Sequence, residues 1–221
     1  MKNGLIITGG SISRFQLEQL ATGQRYDVTI VVDGALKIAI ASDLKIDYLV
    51  GDFDTIEPAI LNEYEKKIKS GECQTELIRL IPEKDMTDTQ VAIDLAIDKG
   101  VTDLTILGGI GTRVDHSLAN IHLLLRTLRN GVNGCMINEW NRIRLVDRNI
   151  AISKEDSFGK YISLIPFTTK VTGITLKGMK YPLKDHTLVL GDSLGISNEI
   201  TSEVASIELE EGILLMIESC D

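Results

Sequence analysis

Four short polar clusters carry the residues of this chain that could do chemistry. They are Asp33-Gly34-Ala35, Gly51-Asp52-Phe53-Asp54, Lys84-Asp85-Met86-Thr87-Asp88 and Gly108-Gly109-Ile110-Gly111-Thr112-Arg113-Val114-Asp115-His116. Asp52 and Asp54 are two apart, so in an extended segment their carboxylates face one side, roughly 6.5–7 Å apart, while Phe53 turns to the core. Two carboxylates so placed could flank one hard cation. Asp85 and Asp88 strengthen that reading, since several like charges converging on one site repel unless a cation holds them. Magnesium usually takes one or two protein carboxylates, several waters and substrate phosphates, which suits this inventory. Arg113 follows the glycine run, and its planar donor fork suits phosphate oxygens. The run fits neither GxGxxG nor a Walker A spacing, so the case for a phosphate cradle rests on its leading into a helix.

Other residues have plainer readings. Thr87 with Gln90 fits a capping box, and Asp115 could cap a helix starting at His116. His116, His122 and His186 have no metal-ligand spacing. The polar run Gly195-Ile196-Ser197-Asn198-Glu199 reads as a turn.

Each cluster follows an apolar run, and those runs must position it. Strand signals at Leu5–Thr8, Val28–Val32, Asp47–Val50, Glu76–Leu80, Leu104–Leu107 and Cys135–Asn138 alternate with helical stretches, clearest at Thr89–Lys99 and Ser117–Arg129. In the latter, Leu118, Ile121, Leu125 and Leu128 repeat at helical spacing and predict one buried stripe. This alternation predicts a mostly parallel α/β domain, with ligands outside the carboxyl ends of its strands. After about residue 148 the pattern changes to short β-like runs separated by Gly, Pro, Asn and Asp. The expected organisation is an α/β nucleotide-binding domain over residues 1–148, followed by an antiparallel β-sandwich over 149–221.

Composition narrows the function classes. Of the 221 residues 43% are hydrophobic and 25% charged, the balance of an ordinary globular protein. With 32 acidic against 23 basic residues, the formal charge of −9 argues against a nucleic-acid partner. The three cysteines form neither a disulfide framework nor a CxxC site. The opening run Leu5-Ile6-Ile7 is too short for a signal-peptide core, and no 18-residue apolar stretch occurs, so neither secretion nor a membrane is expected. The expected location is the cytoplasm.

In order along the chain, Asp33-Gly34, Gly51-Asp52-Phe53-Asp54, Asp85-Met86-Thr87-Asp88 and Arg113-Val114-Asp115-His116 with Asn120 resemble the motifs of the bacterial thiamine pyrophosphokinase family. The later part matches too, through Ser163-Leu164-Ile165-Pro166, Leu176–Leu183 and Ile196-Ser197-Asn198-Glu199. Departures are mild: Ala35, Thr55 and Thr112 stand where the family often has Gly, Ser and Gly. The resemblance implies that ATP and thiamine give AMP and thiamine diphosphate, with Mg²⁺ as cofactor. It places Asp52, Asp54 and Asp88 on the metal, with Asp85 in support. It puts Asp33, Thr87, Arg113, Asp115, His116 and Asn120 on the ATP side, and Ser197 and Asn198 against the aminopyrimidine of thiamine. It further implies a homodimer with thiamine bound near the subunit contact and active sites shared between subunits. Asp54, Asp85 and Arg113 are the expected catalytic groups, either carboxylate being able to take a hydroxyl proton. The same acidic edge would also serve a magnesium-dependent nucleotide phosphohydrolase, or a thiamine or nucleotide sensor without catalysis.

Overall fold

The computed structural model describes residues 1–13, 16–17, 25–81 and 85–220. The chain forms two compact units, Met1–Glu139 and Trp140–Asp221.

In the first unit the apolar runs become strands β1 (Asn3–Ile7), β2 (Val28–Val32), β3 (Tyr48–Gly51), β4 (Glu76–Arg79), β5 (Asp103–Leu107) and β6 (Asn133–Ile137). Their order is β6-β5-β1-β2-β3-β4, and every pairing is parallel. The five residues of β2 are all buried, which explains its unbroken Val-Thr-Ile-Val-Val sequence: both faces are covered. Among the described residues the strands are accompanied by helices that include α1 (Leu36–Ala41), α2 (Pro58–Lys69), α3 (Asp88–Asp98) and α4 (Val114–Arg129). Helix α2 opens on a proline and carries Lys66, Lys67 and Lys69 in its last turn, where cations suit the dipole.

Helix α4 departs from the sequence expectation in two ways. It begins at Val114, with Arg113 as a cap residue that makes no side-chain capping bond, so Asp115 lies inside the first turn. The predicted stripe is also turned away from the sheet. Leu118 is 54% exposed and Ile121, Leu125 and Leu128 are half-buried, whereas Leu124 and Thr127 are buried. A threonine can occupy that line because its hydroxyl donates to the Leu124 carbonyl at 2.8 Å, and Gly134 on β6 gives it room.

From β1 the chain steps outward through β2, β3 and β4, then crosses back to β5 and β6 on the opposite side of β1. The order therefore reverses between β1 and β5, the position where open α/β sheets leave a crevice.

The second unit contains strands β7 (Asn141–Val146), β8 (Ile150–Ser153), β9 (Tyr161–Pro166), β10 (Lys170–Lys177), β11 (Leu183–Val189), β12 (Asn198–Glu199), β13 (Val204–Glu208) and β14 (Leu214–Ser219). They form antiparallel layers in the orders β12-β9-β14-β7 and β11-β10-β13-β8. Strict alternation in β9 and β14 sends Ile162, Leu164, Leu214 and Met216 into a core shared with Val171, Ile174 and Ile207. At one end of that face Glu218 is fully buried. It receives Arg142 at 2.6 Å on each carboxylate oxygen and the Phe158 N–H at 3.2 Å.

Candidate active site

The crevice at the switch point begins with backbone. Past the ends of β1 and β5 the two chains stay joined: Thr8 N–H donates to the Leu107 carbonyl at 2.9 Å and Gly10 N–H to the Gly108 carbonyl at 2.8 Å. Only glycine permits this. A Cβ on Gly10 would overlap the Gly108 carbonyl oxygen, and one on Gly108, at φ +72°, would overlap the Thr8 carbonyl oxygen. The glycine loop is held from below by α4. Asn120 donates to the Gly109 carbonyl at 2.8 Å, and Ser117 Oγ accepts from Gly111 N–H at 3.1 Å.

The cleft so formed has a volume of about 930 Å³ and takes in residues from the carboxyl ends of β1, β2 and β5 and the starts of α3 and α4. Asp33, Thr87, Asp88, Arg113, His116 and Asn120, all expected at the site, line it. The cluster's Lys84 lies outside the described residues. Asp85 is exposed and is not among the residues lining the cleft.

The acids converge more tightly than their spacing suggests. Asp33, Asp52 and Asp54 each offer a ligand atom within 4.8 Å of the others. Phe53 is 5% exposed, as expected, but its backbone is left-handed at φ 67° rather than extended. That kink lets Asp54 N–H donate to the Asp52 carboxylate at 3.1 Å, closing a short turn that draws the carboxylates together. Asp33 joins from the neighbouring strand. Val32 pairs with Val50, and Gly51 leaves space beside the Asp33 carboxylate, where a Cβ would come within 3.0 Å of Oδ1. The Thr55 hydroxyl donates to Asp33 Oδ2, whereas Oδ1 is buried with no hydrogen-bond partner among the described residues. The charge of Asp52 foremost, then burial and the charges of Asp33 and Asp88, push the Asp54 carboxyl above its ordinary value. Oxygen-only donors, mutual repulsion and a buried carboxylate oxygen left over together fit a hard divalent cation.

On the other wall Arg113 is exposed and grips Asp115, Nη2 to Oδ2 at 2.7 Å and Nε to Oδ1 at 3.2 Å. That pairing, helped by the His116 backbone N–H, holds the Asp115 carboxyl at about 2. Thr87 caps α3, its hydroxyl accepting from Gln90 N–H at 3.3 Å.

The expected thiamine-side residues lie in the second unit. Ser197 is exposed in a left-handed conformation at φ 57°, and its N–H donates to Ser163 Oγ at 3.0 Å. Asn198 is 5% exposed, and its amide is spent on backbone. It accepts from Tyr181 N–H at 2.9 Å and Glu199 N–H at 2.9 Å, and donates to the Tyr181 carbonyl at 2.8 Å. It fixes the Tyr181 segment beside Ser197.

The sequence reading passed over Thr8, Gly9 and Gly10, which line the cleft from β1, and Thr55 and Thr89. A Gly-Gly pair directly after a buried strand was the available signal for the first three.

An all-parallel α/β sheet with a cleft at its switch point belongs to the class of open α/β domains that bind their ligands outside the carboxyl ends of the strands, and here carboxylates line that cleft. Comparison with known proteins narrows this class. Residues 21–136 match the catalytic domain of thiamin pyrophosphokinase, and residues 147–214 match its vitamin B1 binding domain. Thiamine pyrophosphokinase of Bacillus subtilis (strain 168) is 34% identical over 171 residues, covering 77% of each chain. The crystal structure of the Bacillus subtilis enzyme superposes with a TM-score of 0.87 at 29% identity over the full length of both chains. That of Geobacillus thermodenitrificans thiamin pyrophosphokinase gives 0.83 at 25% identity, covering 100% of this chain and 98% of the other. The chain belongs to the thiamine pyrophosphokinase family.

Proposed function

We infer that this chain is an enzyme that transfers the pyrophosphoryl group of ATP to the hydroxyl of thiamine, giving thiamine diphosphate and AMP. The observation that carries this reading is the full family architecture, both domains in order, with a carboxylate cluster at the cleft of the first.

The thiamine oxygen attacks the β-phosphorus of ATP. A new O–P bond forms as the bond from the β-phosphorus to its bridge oxygen breaks, and AMP leaves with the electron pair. The hydroxyl proton passes to a carboxylate, for which Asp54 and Asp85 are the two candidates. Asp52, Asp54 and Asp88, with Asp33 beside them, would hold Mg²⁺, whose role when bound is to neutralise phosphate charge. Arg113 would turn from Asp115 toward the phosphates and stabilise charge that grows in the transition state. Thr87, Asp115, His116 and Asn120 belong to the ATP side, Asn120 by fixing the glycine loop and Thr87 by fixing α3. Ser197 and Asn198 would meet the aminopyrimidine, and an acidic site also suits the cationic thiazolium.

In this reading residues 1–148 serve ATP and magnesium and residues 149–221 serve thiamine. Along the chain the compact units divide between Glu139 and Trp140, nine residues before 148 (148 − 139), so β7 is counted in the second unit and the ATP-serving part would end before it. We further propose a homodimer with shared sites, working in the cytoplasm without nucleic-acid or membrane partners. Three scattered cysteines, too few for a disulfide framework, support that location. Among the described residues no helix is long and apolar enough to cross a membrane.

Incubation with MgATP, with and without thiamine, tests the reaction. AMP release that requires thiamine is the expected result. Thiamine-independent phosphate or pyrophosphate would make the protein a nucleotide hydrolase, and binding without turnover would make it a sensor.

A further inference from the structure

Thr8 directly follows β1, and Thr89 is the second residue of α3. Their hydroxyl oxygens lie 2.9 Å apart, with the two residues 5% and 6% exposed, and both line the cleft. A hydroxyl carries one hydrogen and two lone pairs. Whichever oxygen donates across this pair, the other keeps a hydrogen that the mutual bond does not use. Buried hydroxyls in folded proteins almost always place that hydrogen on an acceptor. Among the described residues the mutual bond is the only one either hydroxyl makes.

The surroundings say where the remaining hydrogen can go. Thr8 cannot shift, because its N–H is tied to Leu107 and its carbonyl oxygen abuts Gly108. Gly9, Gly10 and Gly108 beside it bring no side chain, so the space in front of the pair is left to a ligand. Asp88, a candidate metal ligand, immediately precedes Thr89. An acceptor reaching the pair from the cleft therefore lies next to the metal-binding arm, where the phosphates of a metal-bound nucleotide would be.

We propose that Thr8 and Thr89 form a two-hydroxyl relay: one donates to the other, and the second donates to a phosphate oxygen of the bound nucleotide. The relay rests on the ATP-binding reading above and adds to it two residues, Thr8 and Thr89, that are not among those the resemblance assigns to the ATP side. It also ties the β1 wall of the crevice to the helix that carries Asp88, so the nucleotide and the metal arm are set against one another.

Thr8→Val and Thr89→Val each remove a hydroxyl while keeping the branched shape, and Thr8→Ser and Thr89→Ser keep the hydroxyl. Binding of MgATP without thiamine, followed by calorimetric titration, should weaken about tenfold in the Val variant of whichever threonine donates to the phosphate, the loss of one hydrogen bond to a charged acceptor, and by less in the other, whose partner keeps its donor. The Ser variants should stay within about twofold of wild type, since the donor remains. The double Val variant should bind no more weakly than the weaker single one, because a relay is lost once. KM for thiamine should not change. Should Val lower the unfolding temperature enough to obscure binding, Thr8→Cys, a weak donor of similar size, serves in its place. Val variants that bind MgATP like wild type overturn the relay, as do Ser variants as impaired as Val, or losses that add in the double variant. Wild type that binds MgATP but makes no thiamine diphosphate would sink the pyrophosphokinase reading and leave the relay standing. Wild type that does not bind MgATP would overturn both.

Discussion

The two units handle acidic side chains in opposite ways. In the second, Glu218 is fully buried, and Arg142 answers both of its oxygens, with Arg144 3.7 Å away. In the first, Asp33, Asp52 and Asp54 face one another, and the Asp54 carboxyl is pushed up by its acidic neighbours. A carboxylate matched by arginine is architecture, complete within the chain. Carboxylates turned on one another are an arrangement that, in the proposed function, a cation from outside would complete. The difference separates a buried charge that holds a fold from a set of charges kept for work.

The largest expected effect comes from breaking the unmatched set. Asp54→Asn should lower kcat by ~10³-fold through loss of metal-dependent charge neutralisation. The fold should survive, and the metal-free variant should unfold no lower in temperature than wild type because a repulsion is gone. Added Mg²⁺ should raise the unfolding temperature of wild type and do so much less in the variant. A variant that keeps its activity and its Mg²⁺-induced shift would remove Asp54 from the metal.

The matched charge should fail differently. Glu218→Gln leaves Arg142 and Arg144 facing a neutral amide, and stability should fall by about 3 kcal/mol in denaturant unfolding. A loss below about 1 kcal/mol would mean that solvent already shares the pair.

Arg113 lies between these cases, a paired charge expected to change partner. Arg113→Ala should lower kcat by ~10²-fold, and Lys should restore only part because it lacks the planar fork. A rise in thiamine KM at constant kcat would move Arg113 to the acceptor side.

The smallest effect is acidic. The Asp115 carboxyl is held at about 2, below its ordinary value of 3.8, so its pairing contributes stability that is present above the upper value. That contribution fades as pH falls from about 4 to 2, and it is small because the pair is exposed. Asp115→Asn should therefore flatten the acid limb of the stability curve slightly and leave pH 7 nearly unchanged. An unaltered acid limb would show that the pair does not persist in solution.

How much of this could be read from sequence depended on whether neighbours along the chain or across the sheet decided the matter. β2 was legible because burial on both faces leaves an unbroken apolar run. The parallel α/β class and the β-rich second part followed from such patterns. The pairing of Asp52 with Asp54 was legible as well, but its tightness was not, since the left-handed Phe53 has no signal in residue spacing. Asp33 joins them only because β2 lies beside β3 in register, a fact of topology. The α4 stripe was misjudged because a threonine faces the sheet while Leu118 faces out. β7 was hidden because Arg142 and Arg144 occupy the face that Met216 and Glu218 share, and arginines there do not read as an inward row.

The fused tails of β1 and β5 bear on how the protein is made. Gly10 leaves the ribosome well ahead of its partner Gly108, which follows it by 98 residues (108 − 10). Strands β1 to β4 can pair before then, but the crevice has one wall until β5 arrives and its loop closes over a long stretch of chain. Nucleotide binding is thus withheld from the nascent protein until the segment carrying Arg113 is nearly in place. A chain released before Gly108 could hold much of the sheet and still have nowhere to put ATP.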